Sequence, residues 1–240
     1  MVSRVIAIGG GGFLMEPKNP LLDQYCLNCT GKTTPKVCFI PTASGDSEDF
    51  LDRFYTAFAR YACEPSHLAF FRRPRSGAIP LTDIEHHLLN QDLIYVGGGN
   101  TRSMLAVWRE WNLDKILRKA WEYGILLAGM SAGAICWFEY GGTDSNGDDK
   151  MSPLKGLGLI QGSCTPHYDG ESNRRPDLHW LVQNGELPLG IGIDDGAAVL
   201  FEEQQVVEVV SSRPEAKAYR VKLEEDGQIA EEPLETRYLG

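Results

Sequence analysis

The chain has 240 residues, 42% of them hydrophobic and 23% charged, with 26 Gly and 13 Pro; these globular proportions supply a sizeable core and exclude a disordered chain. A formal net charge of −10 at pH 7 repels polyphosphate and argues against nucleic acid as a partner. No run approaches the ~18–20 apolar residues of a membrane span, and the apolar run behind Arg4 is too short for a signal segment and ends in glycines as a buried strand does, so a cytoplasmic protein is expected.

Short apolar runs alternate with longer amphipathic stretches. Val5–Gly9 and Val37–Pro41 read as strands, with a helix between them around Asn19–Cys29. Asp46–Ala62 carries apolar residues at helical spacing, His67–Phe71 reads as a third strand, and Thr82–Leu89 as a capped helix. Leu93–Val96 is a fourth strand; helices follow through Trp108 and over Leu113–Tyr123. Ile125–Ala128 is a fifth strand, with an apolar helix expected through Phe138 after the turn that it enters. Gly141–Lys150 is polar and rich in Gly and Asp, hence a loop. Gly158–Ser163 is strand-like, Asp177–Asn184 helical, and strands are expected at Leu189–Ile193, Ala197–Glu202, Val206–Val210 and Ala218–Leu223. This alternation predicts a single α/β domain over 1–240, with a mostly parallel sheet covered by helices on both faces.

The glycine turns differ in what they can do. Gly9–Gly12 lacks the third glycine of a dinucleotide fingerprint, since Leu14 stands there, and Gly31-Lys32-Thr33 has no strand before it. Both read as tight turns, and no cofactor is expected. Gly97-Gly98-Gly99-Asn100-Thr101 leaves the carboxyl end of a strand, where ligand sites gather in open α/β sheets. Its amides, unshielded by side chains, can face an oxyanion. The six cysteines read as small hydrophobes or surface thiols: Cys26 and Cys29 have CxxC spacing, but no second pair and no histidine pair follows, so no metal is expected.

Gly129-Met130-Ser131-Ala132-Gly133 matches G-x-S-x-G, with a strand before it and a helix after it. Such a turn is sharp, so the residues two before and two after the serine must lack bulk. Ser131 then projects as a nucleophile, with the Ala132 amide beside it. Of the five histidines, His67, His86, His87 and His179 read as structural or solvated; His167, between a strand and a polar loop, is the candidate base. Two sites compete for the acid that orients it: Asp144, and the pair Asp194-Asp195. Spacing leaves that choice open.

Val-Gly-Gly-Gly-Asn-Thr at 96–101, Gly-Met-Ser-Ala-Gly-Ala at 129–134, Thr-Pro-His at 165–167 and Gly-Ile-Gly-Ile-Asp-Asp-Gly at 190–196 together resemble the peptidase E (aspartyl dipeptidase) family of serine peptidases, related to cyanophycinase. The resemblance spans nearly the whole chain. It implies a fold like that of class I glutamine amidotransferases, which carry cysteine at the elbow. It implies Ser131 as nucleophile, His167 as base, and Asp195 where the family has a glutamate, one methylene longer. Asp144 matches another acidic position of the family and is the reserve acid. Gly98, Gly99 and Ala132 would form the oxyanion hole, with Asn100 and Thr101 as substrate contacts. The implied reaction is cleavage after an N-terminal Asp in short peptides. Arg174 and Arg175 are candidates for binding that side chain, or else pair with Glu171 or Asp177 on a surface helix. Two alternatives stand beside this: a cyanophycinase-like hydrolase of β-aspartyl-arginine chains, and a ligand-binding protein without turnover. The expected partner is a short peptide, the expected state a monomer or homodimer.

Overall fold

A computed structural model describes residues 2–71, 76–147 and 150–240. The first half runs β1 (Arg4–Ile8), α1 (Gly12–Met15), α2 (Leu21–Cys29), β2 (Lys36–Ile40), α3 (Glu48–Phe58), β3 (Glu64–His67), α4 (Ile84–Leu89), β4 (Leu93–Val96), α5 (Thr101–Glu110), α6 (Leu113–Glu122), β5 (Leu126–Met130) and α7 (Ala132–Ile135). Then come β6 (Phe138–Thr143), β7 (Ser152–Lys155), β8 (Ile160–Thr165), α8 (Arg174–Gln183), β9 (Gly190–Ile193), β10 (Ala197–Glu202), β11 (Gln205–Ser211), β12 (Ala218–Leu223), β13 (Ile229–Pro233) and β14 (Arg237–Tyr238).

The strands form two sheets, in the orders β14-β11-β10-β1-β5-β4-β2-β3 and β13-β12-β9-β8-β6-β7. In the larger sheet β1, β5, β4, β2 and β3 are mutually parallel, and antiparallel β10 and β11 extend it. In the smaller sheet β6, β8 and β9 are parallel, flanked by antiparallel β7, β12 and β13. The protein is thus α/β with mixed, mostly parallel sheets.

Side chains in a strand alternate between its faces, and β1 shows both being filled. Val5 and Ala7 join a core that also takes Met104, Leu105 and Trp108 of α5 and Leu113 and Leu117 of α6. Ile6 and Ile8 join the opposite core, with Phe13, Leu22 of α2, and Phe54 and Phe58 of α3. The first core continues without a break into the smaller sheet through Phe138, Cys164, Ile191, Ile193 and Ala218. The far face of that sheet is closed by Leu178, Leu181 and Val182 of α8. Among the described residues no helix is long and apolar enough to cross a membrane.

Three local expectations are corrected. The strand read at His67–Phe71 lies earlier, at β3, because Glu64–His67 pairs with Lys36–Phe39; past it, the carboxylate of Asp46 takes the amides of Phe70 and Phe71. The helix after Ser131 is only four residues long, since Phe138 already pairs with Ile160. Residues 141–143 of the expected loop belong to β6; positions 148 and 149 of that loop lie outside the described residues.

Candidate active site

The carboxyl ends of β1, β4 and β5 converge on Ser131. Its φ of 58° and ψ of −115° put a side-chain-bearing residue in left-handed backbone, at a cost of ~1–3 kcal/mol that the surroundings must offset. They do so with three hydrogen bonds: the Ser131 amide to Ile8 O (3.1 Å), and the Ala134 and Ile135 amides to Ser131 O (2.8 and 3.0 Å). The flanking glycines are required by contact: a Cβ on Gly129 would fall on the Gly133 carbonyl, and one on Gly133 would fall on the Val96 carbonyl.

Beside the elbow lies the Gly97–Gly99 turn. A Cβ on Gly98 would come within 3.2 Å of Ser131 Cβ, and one on Gly99, whose φ is +135°, would fall on the Ala43 carbonyl. The amides of Gly98, Gly99 and Ala132 take no partner in the loop and cap hydrogen bonds of the described residues. The helix after Ser131 is too short to add a sizeable macrodipole, so these amides are the groups at the elbow that can face an anion. Asn100 accepts the Ser103 amide (2.8 Å) and donates to Ser145 O (2.9 Å), and the buried Thr101 gives its amide to Ser145 Oγ (3.1 Å). Both therefore fasten the turn to the loop that carries Asp144.

His167 enters from the smaller sheet, just past β8, also in left-handed backbone with φ 54°. Its Nδ1 lies 2.6 Å from Asp195 Oδ1. Asp195 follows β9, and two bonds stitch the strand end to the histidine turn: the Tyr168 amide to Ile193 O (3.1 Å) and the Asp195 amide to Asp169 Oδ1 (2.7 Å). Burial pushes the Asp195 carboxyl up, but the His167 hydrogen bond, the His167 charge and Arg213 outweigh it and hold it below its ordinary value. Glycines wrap the carboxylate closely: a Cβ on Gly10 would fall on Oδ1, and one on Gly170 would come within 2.5 Å of Oδ2.

Ser131 and His167 both meet the end of β1 and the turn after it. Ile8 accepts the Ser131 amide, while Gly10 bridges to Asp195 and lies against His167 Nδ1. The Ser131 hydroxyl makes no hydrogen bond to another side chain or carbonyl among the described residues. Below the Gly10–Gly12 turn, Asp23 accepts the Phe13 amide (3.2 Å); its burial pushes the carboxyl up to about 7, against that hydrogen bond.

Asp144 stands elsewhere, 3.0 Å from Arg174, which also holds Glu171 at 2.7 Å. The guanidinium is 5% exposed and the two carboxylates 52% and 43%, so carboxylates face the solvent there. Arg175 turns away from that cluster and lies between the rings of Tyr168 and Tyr219, at 4.8 and 4.7 Å. His67 is buried against Tyr55 Oη, and His179 is held by Glu231. The residues that sequence reasoning missed are Gly10, Asp169 and Gly170. The run Gly9–Gly12 was visible as a turn, but nothing local tied it to position 195.

A sequence model described as peptidase family S51 matches residues 5–209. The chain is 53% identical over 239 residues to the uncharacterized peptidase YgaJ of Bacillus subtilis, covering 100% of both chains. It is 24% identical to the cyanophycinase of Geminocystis herdmanii, over 87% of this chain and 77% of that one. The crystal structure of a peptidase from an acI-B1 Actinobacterium shares the fold, with a TM-score of 0.72 at 20% identity over 98% of this chain and 95% of that one. With a family match across most of its length and a relative of this identity, the chain belongs to peptidase family S51, and it is a peptidase.

Proposed function

We propose that the protein is a serine-type exopeptidase of short peptides, with Ser131 as nucleophile, His167 as general base and acid, and Asp195 as the carboxylate that orients the imidazole. What supports this is the 2.6 Å contact between His167 and Asp195 at the rim that holds the strained Ser131 elbow. A carboxylate on Nδ1–H leaves a lone pair on Nε2. That nitrogen takes the Ser131 proton as Oγ bonds to the scissile carbonyl carbon. The carbonyl π pair moves onto oxygen, and the amides of Gly98, Gly99 and Ala132 receive the oxyanion. The imidazolium, stabilised by Asp195, protonates the leaving amine as the C–N bond breaks. Water, deprotonated by His167, then cleaves the acyl ester and restores Ser131. A fluorophosphonate probe tests the scheme: labelling of the wild type and none of Ser131→Ala is the expected result, whereas an unlabelled wild type would overturn the serine mechanism.

Substrates beginning with Asp are one preference consistent with this chemistry. A second reading, hydrolysis of β-aspartyl-arginine chains, is favoured by one observation: Arg174 is already met by Asp144 and Glu171, so a substrate encounters carboxylates before the guanidinium. The net charge of −10 suits a basic polymer. Release of free amine from Asp-Leu against β-Asp-Arg separates the two.

A further inference from the structure

Glu231 of β13 lies beyond the segment that the family model matches, which ends at residue 209. It nevertheless gathers groups from the neighbourhood of His167. Its Oε2 accepts the Tyr168 hydroxyl at 2.7 Å, lies 2.7 Å from His179 Nε2, and is 3.5 Å from Arg175 Nε. Tyr168 is the residue directly after His167. Its ring is 2% exposed and packs so closely on Gly192 that a Cβ there would approach ring carbons to 2.7 Å. Arg175 stacks on that ring and on Tyr219 of β12. Tyr168 is thus fixed at three points: its amide by Ile193 O, its ring by Gly192, and its hydroxyl by Glu231 at 2.7 Å, with His179 Nε2, itself held by Glu231, farther off at 3.1 Å.

The same hairpin also supports the other half of the pair. β12 is bonded to β9 with Ala218 opposite Ile193, and the Asp194 amide donates to Lys217 O while the Lys217 amide donates to Asp194 Oδ2, both at 3.0 Å. One two-stranded element therefore holds the chain on either side of the His167–Asp195 contact. His167 is in left-handed backbone, so the imidazole stays on Asp195 only while its neighbours oppose relaxation.

We propose that Glu231 is a positioning residue. By anchoring the Tyr168 hydroxyl, it keeps the His167 turn in its left-handed conformation with Nδ1 on Asp195. This rests on the triad proposed above, and the experiment uses two readouts so that the two ideas fail separately. The first is the low-field proton resonance of the His167–Asp195 hydrogen bond, identified by its loss in Asp195→Asn; it requires no turnover. The second is the rate of fluorophosphonate labelling of Ser131. In Glu231→Ala the resonance should broaden or vanish and labelling should slow about 10–100-fold, the scale of a misplaced catalytic group. Glu231→Gln, which still accepts the hydroxyl, should recover part of both. Tyr168→Phe, which keeps the ring packing, should move both in the same direction as Glu231→Ala. Glu232→Ala, the neighbouring exposed carboxylate, should match the wild type. Wild-type resonance and labelling in folded Glu231→Ala or Tyr168→Phe would overturn the proposal, as would equal losses in Glu231→Ala and Glu232→Ala. A wild type that shows the resonance but no labelling refutes the serine-hydrolase reading and leaves the role of Glu231 to be decided by the resonance.

Discussion

The two halves of the candidate site are built in opposite ways. The Ser131 elbow is local in sequence: five consecutive residues, 129–133, form the strained turn, which rests on the backbone of Ile8 and Val96. The His167–Asp195 half is assembled over distance. Its members are 28 residues apart and sit after two different strands, and their packing depends on Gly10, in the turn past β1. Strain in the first half is offset by small residues and backbone hydrogen bonds; in the second it is offset by a charged contact and a hydrogen-bonded scaffold. The first should therefore respond to added volume, and the second to removed charge.

The largest effect on activity should come from removing that charge. Asp195→Asn keeps the shape but can present its NH2 group to Nδ1, which favours the tautomer with no lone pair on Nε2. Turnover and Ser131 labelling should fall about 10²–10⁴-fold, as when a triad carboxylate is lost. Thermal denaturation gives a second readout. Because the folded-state pKa of Asp195 is depressed, its ionised form contributes stability that is present above the ordinary carboxylate range and is lost as pH falls through the folded value. The stability gap between wild type and Asp195→Asn should accordingly narrow on acidification. A gap that stays constant as the pH falls through and below the ordinary carboxylate range would mean that the folded state does not hold the carboxylate ionised.

This asymmetry also explains what could be read in the sequence. Ser131, Gly129 and Gly133 are legible because the chemistry of a strained turn demands small residues at fixed offsets in one stretch. The central strands are legible because both of their faces are buried, leaving apolar runs such as Val5–Ile8. His167 could be singled out by its place after a strand, but its contact with Asp195 rather than Asp144 follows from the pairing of β8 with β9, which no spacing encodes. The short α7 was misread because Cys136, Trp137 and Phe138 are as apolar in a buried strand entry as in a helix. β13 was missed for the converse reason: Ala230, Glu231 and Glu232 pair with β12 and show no alternation of the kind a half-buried strand presents.

Added volume tests the local half. In Gly133→Ala the new methyl group has no space short of the Val96 carbonyl, and backbone, unlike a side chain, cannot swing away. Overpacking of this kind costs about 1–3 kcal/mol, to be measured as a lowered denaturant midpoint. Labelling of the folded fraction should also slow, because the elbow and the Gly97–Gly99 turn rest on β4 together. Full stability with a normal labelling rate would show that the elbow is looser than its contacts indicate, and would weaken the contrast between the halves.

The smallest effect is expected at Asp144. Its carboxylate lies on Arg174 at 3.0 Å and is half exposed, while Glu171 already satisfies the same guanidinium at 2.7 Å. The guanidinium is buried but keeps Glu171, and the open Asp144 end of the pair is screened by solvent, so Asp144→Asn, which still accepts a hydrogen bond, should cost no more than about 1 kcal/mol of stability. Labelling of Ser131 should stay within about 3-fold of wild type, a change below 1 kcal/mol in barrier. The useful signal is in substrate choice: with one of its two carboxylates neutralised, Arg174 is freer to meet an anionic side chain, so turnover of Asp-Leu should rise relative to β-Asp-Arg. Should Asp144→Asn instead slow labelling as much as Asp195→Asn, the carboxylate that serves the imidazole during reaction is not the one beside it in this structure, and the distance-built half of the site would extend to the loop that Asn100 and Thr101 secure.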